Sequence, residues 1–231
     1  MNHPVQKNIV LFDMDHTLVS ANTIELWNAF LDQKGTLTPE ECQQWRQFHV
    51  DYVNGQLDIL ASYSFELMIA KKIPLAIRAL WLQEFFTDWV KDKISPIGLQ
   101  LINTYKQQPE TIVVLITATL AFIAAPVATY AAVDDLIATE PEIIAGDLSG
   151  KLLGIPSIGE GKLKRFQHWL QQKGYTPKHT ILYSDSINDL PLLSEVDQAI
   201  LVDPDHQLQQ IGQQKNWPIM SFKVRESIES Q

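Results

Sequence analysis

Cysteine is almost absent from this chain. The single thiol, Cys42, excludes an internal disulfide and a zinc site built on paired cysteines, and it points to a reducing, cytoplasmic setting. Basic residues are also scarce: 18 Lys and Arg face 27 Asp and Glu, for a net charge of -9. Nucleic acid and anionic membranes both require an electropositive surface, so neither is expected as a partner. No long apolar run goes uninterrupted. Residues 115–133 come nearest, but threonines punctuate them, Pro126 breaks them and Asp134 and Asp135 end them. A buried strand leading into a helix fits that stretch better than stable membrane insertion. The first residues are polar and lack a secretory apolar segment. Glycine-rich nucleotide fingerprints are missing as well, both after the first strand and at Gly159-Glu160-Gly161-Lys162, which is too short for a P-loop.

What is present supports a folded protein of one or two domains: 45% of the 231 residues are hydrophobic, enough for a substantial core. Ile9-Val10-Leu11-Phe12 reads as a buried strand, and Asp13 and Asp15, two apart, project together from its carboxyl end. A helix is expected over 21–31, with Ile24, Leu26, Trp27, Phe30 and Leu31 on one face. Thr38-Pro39-Glu40-Glu41 is a capping box for a second helix carrying Trp45, Phe48 and Tyr52. A third spans 57–70 with Asp58 in its first turn. Pro74 opens a fourth, directing Leu75, Ile77, Leu80, Trp81, Phe85, Phe86 and Trp89 toward other helices. Residues 20–93 are thus expected to form an all-helical domain inserted into a core made of 1–19 and 94–231. Their aromatic side chains are assigned to helix packing rather than to a stacking surface. Arg46, His49 and Arg78 are candidates to line a pocket, each also explicable as solvent-facing or locally paired.

Strand and helix patterns then alternate. A helix at 97–107 precedes the β-branched run 111–116, which ends in Thr117-Ala118-Thr119. Those threonines either meet an anion or cap the next helix. A strand at 135–139, a hairpin at 142–153 and a helix beginning at 159–162 follow, with Lys162 placed to neutralise an anion or to lie on the surface. The strand 179–184 leads to Asp185-Ser186-Ile187-Asn188-Asp189; if 186–193 is helical, Asp185 and Asp189 share one side. Such a carboxylate pair calls for a proton or a cation between its members. A strand at 199–202, a helix after Asp203-Pro204-Asp205, a return at 213–220 and a fraying Ser- and Glu-rich end complete the chain. The expected class is α/β with a central parallel sheet, whose strand ends gather these distant residues into one cleft suited to an anion and a divalent cation. Oxygen ligands favour Mg2+, with manganese able to substitute.

The ordered set Asp13-Met14-Asp15-His16-Thr17, Thr117, Lys162 and Asp185-Ser186-Ile187-Asn188-Asp189 resembles the four motifs of the haloacid dehalogenase superfamily, in the phosphoserine-phosphatase-like branch whose C1-type helical cap follows the first motif. The resemblance implies a Rossmann-like core and a magnesium-dependent phosphatase acting on a small phosphorylated metabolite. Asp13 would be the nucleophile that carries the phosphoryl group, and Asp15 the acid and then the base. Thr117, Ala118 and Lys162 would bind phosphate. Asp13, Asp185 and the Asp15 backbone carbonyl would hold Mg2+, with Thr17 and Asp189 in support. Ser184, Ser186 and Asn188 are divided between supporting the site and capping a helix. The helical insertion would close over substrate.

Two positions depart from the family pattern. His16 stands where glycine is common, so either the local geometry differs or a left-handed backbone is tolerated there. Asn22 matches the position where phosphoserine phosphatases present a carboxylate to the substrate's amino group. It lacks that charge, and Glu25 is a differently placed substitute. Asn22, Glu25, Arg46 and His49 are therefore the candidate specificity residues. Phosphoryl transfer to an organic acceptor, phosphonate hydrolysis and non-catalytic phosphate-dependent binding are the competing functions on the same cleft.

Overall fold

The computed structural model describes residues 5–223, so the expected fraying of the C-terminal end falls outside them. Strand β1 (Val5–Phe12) lies at the centre of a six-stranded parallel sheet, between β2 (Thr111–Leu120) and β6 (Tyr175–Ser184). Strand β3 (Asp135–Thr139) lies outside β2, while β7 (Gln198–Val202) and β8 (Ile219–Met220) lie outside β6. The four residues Ile9 to Phe12 are buried, as expected of a strand covered on both faces. Phe12 is in register with Leu115 on one side and Tyr183 on the other, which aligns three carboxyl ends. The chain leaves β1 toward β2 and β3, then returns to the opposite flank at β6. That reversal opens a crevice between β1 and β6, where sheets of this kind receive ligands.

Between β1 and the helix α5 (Pro96–Lys106), the regular structure is helical. It comprises α1 (Thr23–Gln33), α2 (Pro39–Val53), α3 (Ile59–Lys72) and α4 (Leu75–Phe85), followed by a π turn at Phe86–Val90 and a 3-10 turn at Lys91–Lys93. The capping box at Thr38 and Glu41 forms as expected. Asp58 is the N-cap of α3 rather than a first-turn residue, accepting from the amides of Leu60 and Ala61. The inward face of α4 also differs from expectation. Arg78 is buried, bound to the Ala70 carbonyl and to Asp147, and the three-and-four spacing from it selects Trp81, Leu82 and Phe85 as the packed face. Leu75, Ile77 and Leu80 consequently turn to solvent. Trp27 packs edge-on to Phe85 with ring centroids 5.1 Å apart, and the apolar cluster they share continues without a break to Val10, Phe12 and Leu115 in the sheet.

β2 is longer than its β-branched run implies and carries Thr117, Ala118 and Thr119 as strand residues before α6 (Ala121–Tyr130). β4 (Pro141–Ile144) and β5 (Asp147–Leu152) form the expected hairpin, with Ala145 and Gly146 both at positive φ, 52° and 85°, as a type I′ turn requires. β5 lies beside α3, where the Lys71 ammonium donates to the Ser149 carbonyl at 3.1 Å. Helix α7 (Glu160–Lys173) begins against the preceding loop so closely that a Cβ on Gly161 would stand 2.1 Å from the Pro156 carbonyl oxygen. Only glycine lets this helix start where it does. The short α8 (Leu190–Leu193) and α9 (His206–Lys215) complete the helices, and none among the described residues is long and apolar enough to cross a membrane.

Candidate active site

Asp13 follows β1 directly, and its amide still donates to the Tyr183 carbonyl of β6 at 2.9 Å. The side chain is buried and meets the Lys162 ammonium, which lies 2.7 Å from Asp13 Oδ1. The same ammonium contacts both oxygens of Asp189, at 2.7 and 2.8 Å, and the Ser184 hydroxyl donates to that carboxylate at 2.7 Å. Lys162 is therefore no surface lysine: the first turn of α7 drives it into the crevice. Residues Ile187–Asp189 form a 3-10 turn instead of a continuous helix with 190–193, and Asp189 faces the lysine.

Asp15 is held by both carboxyl oxygens. Oδ1 accepts from the Thr23 amide at 2.8 Å and Oδ2 from the Thr119 hydroxyl at 2.6 Å. Thr117 is buried and accepts from the Thr119 amide at 3.1 Å; neither threonine caps α6, whose N-cap is Leu120. His16 adopts φ 59°, so a left-handed backbone is accepted at a non-glycine residue. Thr17 donates to Asp185 Oδ1 at 2.9 Å. Asp205, the N-cap of α9, steadies the same loop: its amide donates to the Asp185 carbonyl at 2.8 Å and its carboxylate accepts from the Ile187 amide at 2.6 Å.

Two acids, Asp13 and Asp189, thus share one buried ammonium, while a third, Asp185, is held by Thr17. Burial opposes the charged form of Lys162, but Asp13 and Asp189 outweigh it and raise its pKa, so it stays protonated. Burial pushes the Asp13 carboxyl up against the pull of Lys162, and burial together with Asp13 pushes Asp185 up. This surplus of negative charge, presented by hard oxygen donors, fits Mg2+, which takes one or two carboxylates and keeps several waters. Among the described residues no three His, Cys, Asp or Glu side chains are placed to hold a metal ion by themselves. Burial also raises the Asp15 pKa, with Thr119 and Thr23 drawing it part of the way back.

Beyond the strand ends the crevice widens into a cleft of about 140 Å³, walled by three helices. Each contributes residues three and four apart: Ile24, Glu25 and Asn28 from α1; Trp45, Phe48, His49 and Tyr52 from α2; Ile59, Ser62, Tyr63 and Glu66 from α3. Trp45 and Phe48 therefore line the cleft as well as packing on the core to which they were assigned, whereas Trp27 and Phe85 are core residues. Glu25 and His49 meet across the wall at 2.6 Å. Arg46 does not line the cleft: it is exposed on the other side of α2, 3.5 Å from Asp32. Asn22 lines the cleft, but its side-chain oxygen is committed to capping α1 through the Ile24 and Glu25 amides. Ala118 lines it too, its carbonyl accepting from Tyr63 and Thr139 at 2.7 Å each.

Thr23, Asp205, Asn28 and Glu66 escaped sequence reasoning, and Thr119 entered it only beside Thr117. Thr119 was detectable as the next same-side residue of the strand, and Glu66 as the only acid in the apolar run of α3. Nothing local marks Thr23, and Asp205 was readable as the start of the last helix but not as a brace of the Asp185 loop.

The haloacid dehalogenase-like hydrolase family model matches residues 10–194. A histidinol-phosphatase of Neisseria meningitidis is 34% identical over 222 residues, covering 94% of this chain and all of the relative. A Bordetella pertussis protein of unknown function superposes with a TM-score of 0.88 at 29% identity, over 95% of this chain and all of the other. A phosphoserine phosphatase solved as an analogue of its phospho-aspartyl intermediate gives a TM-score of 0.65 at 15% identity over 95% of each chain, a likeness of fold alone.

Proposed function

Because the chain belongs to the haloacid dehalogenase-like hydrolase family and is one of its phosphatases, we propose that it is a magnesium-dependent phosphatase that hydrolyses a small organic phosphate monoester through an aspartyl-phosphate on Asp13. The contact of Asp13 with Lys162 carries this reading. Lys162 occupies Oδ1, which leaves the other oxygen to attack phosphorus, and its ammonium lies where charge develops on the phosphoryl oxygens. As the bond to the leaving oxygen breaks, Asp15 gives that oxygen its proton. In the second step Asp15 takes a proton from water, the water oxygen attacks phosphorus, and the bond to Asp13 breaks to release inorganic phosphate. The raised pKa of Asp15 keeps a proton available for the first step, and Thr119 and Thr23 fix the carboxyl's direction. Thr117 and Ala118 bind the phosphoryl oxygens alongside Lys162. Asp13, Asp185 and the Asp15 carbonyl would hold Mg2+, which would supply charge that offsets the phosphoryl group. Asp189 and Thr17 orient Lys162 and Asp185. The helices α1 to α4 act as a cap that shields the aspartyl-phosphate from bulk water.

Histidinol phosphate, the substrate implied by the name of the Neisseria relative, is the first compound to assay. Phosphate release should require Mg2+ and stop with a chelator. Asp13→Asn should lower turnover by about 10^4-fold or more, and a labelled phosphoryl group should become attached to the wild-type protein at Asp13 as a hydroxylamine-sensitive acyl phosphate. Unchanged turnover in the purified Asp13→Asn protein overturns the assignment.

A further inference from the structure

Glu66 is 3% exposed, as is Asn28, and both line the cleft. The Asn28 amide nitrogen donates to Glu66 Oε1 at 2.7 Å. That bond fixes the orientation of both side chains and leaves one acceptor on each, Glu66 Oε2 and Asn28 Oδ1, buried with no partner among the described residues. Leaving a buried acceptor unpaired costs more than a typical hydrogen bond gains, so two together call for an incoming donor. No side chain among the described residues donates to either, the unpartnered indole N–H groups of Trp27 and Trp45 included. Lys162 is committed to Asp13 and Asp189, and His49 to Glu25. Among the described residues only burial and Asn28 act on the Glu66 carboxyl, and burial pushes it up to about 7. An ammonium has donors and no acceptor, as does a protonated imidazole, and either satisfies two acceptors at once. Trp45 and Phe48 line the same cleft, and aromatic rings favour a desolvated cation.

We propose that Glu66 and Asn28 form the leaving-group site of the cleft, and that the preferred monoester carries a cationic nitrogen, as a phosphorylated amino alcohol does. The proposal rests on the phosphatase reading for the position of the phosphate but has its own observable. It also reassigns charge recognition from the start of the helical insert, where Asn22 is occupied as a cap, to the middle of α3.

Two measurements separate the readings. In the first, histidinol and 3-amino-1-propanol are titrated against the wild-type protein beside 1-butanol, with no chemistry involved. The amines should bind at least tenfold more tightly than the neutral alcohol, and Glu66→Gln, which keeps the shape and the Asn28 bond, should erase the difference. In the second, kcat/KM is compared for 3-aminopropyl phosphate and butyl phosphate. The wild-type ratio should exceed about 30, two well-made charged contacts being worth at least this much, and should collapse toward one in Glu66→Gln. Equal binding of amine and neutral alcohol, or a preference that survives Glu66→Gln, overturns the proposal. If Glu66→Gln fails to fold, Asn28→Leu is read in the same two assays, and an undiminished preference there overturns it equally. Glu66-dependent amine binding without turnover of any monoester leaves this site standing and defeats the phosphatase reading instead.

Discussion

The strand-end crevice and the helical wall treat buried acids in opposite ways. Asp189 is held by Lys162 and Ser184, and Asp15 by Thr23 and Thr119. Glu66 has Asn28 alone. Groups that must keep one geometry through two chemical steps are braced by the fold, because a misplaced carboxyl loses its reach to the reacting atom. A group that must discriminate among ligands is left short of a partner, because an acceptor already satisfied has nothing to gain from binding.

Mutations break this contrast from either side. Asp15→Asn strips the crevice of its proton carrier and should cost about 10^2- to 10^4-fold in kcat, with slow formation and slow breakdown of the acyl phosphate in rapid-quench experiments. Lys162→Met leaves Asp13 and Asp189 buried without their cation and should destabilise the fold by about 3–5 kcal/mol, measurable by urea denaturation at pH 7.

Glu66→Gln should have the opposite sign. The Glu66 carboxyl titrates at about 7 in the folded protein and near 4.5 when exposed, so folding favours its protonated form. Ionisation then penalises the native state increasingly as pH rises from 4.5 toward 7, by up to roughly 3 kcal/mol at about 1.4 kcal/mol per pH unit. Glu66→Gln should therefore equal wild type in stability below pH 4.5 and exceed it above pH 7, a difference that thermal denaturation across that range reveals and that a bound amine should shrink. The smallest effect belongs to His16→Gly. Relief of the left-handed backbone, about 1–2 kcal/mol, is largely offset by the flexibility glycine adds to the unfolded chain, so stability should rise by less than about 1 kcal/mol.

How much of this was legible beforehand follows from how local each signal is. The buried strand 9–12, the capping box at Thr38 and the hairpin around Ala145 and Gly146 depend on neighbours in sequence, and the structure contains them. The two acids after β1 were readable because a strand's period of two fixes their common side. Arg46 was open to either reading because facing inward or outward on α2 depends on how that helix docks against α1, and the solvent-facing, locally paired one holds, with Asp32 as the partner. Leu75, Ile77 and Leu80 were misdirected because the inner face of α4 is set by Arg78 reaching Asp147, 69 residues away. Thr23 and Asp205 act through backbone and side-chain contacts with Asp15 and the Asp185 loop that no periodicity encodes.

Helix α1 touches both halves of this contrast. Its first amide, at Thr23, grips Asp15, and Asn28, five residues along and about 7–8 Å up the axis at 1.5 Å per residue, grips Glu66. A short helix is stiff over that span, so it works as a spacer: one rod sets the distance between the acid that gives up the proton and the acceptors in the cleft wall. Among amine-bearing monoesters, those whose nitrogen lies at the wrong distance from phosphorus should then suffer in kcat and not merely in KM, since the rod does not let both ends of the ligand seat at once.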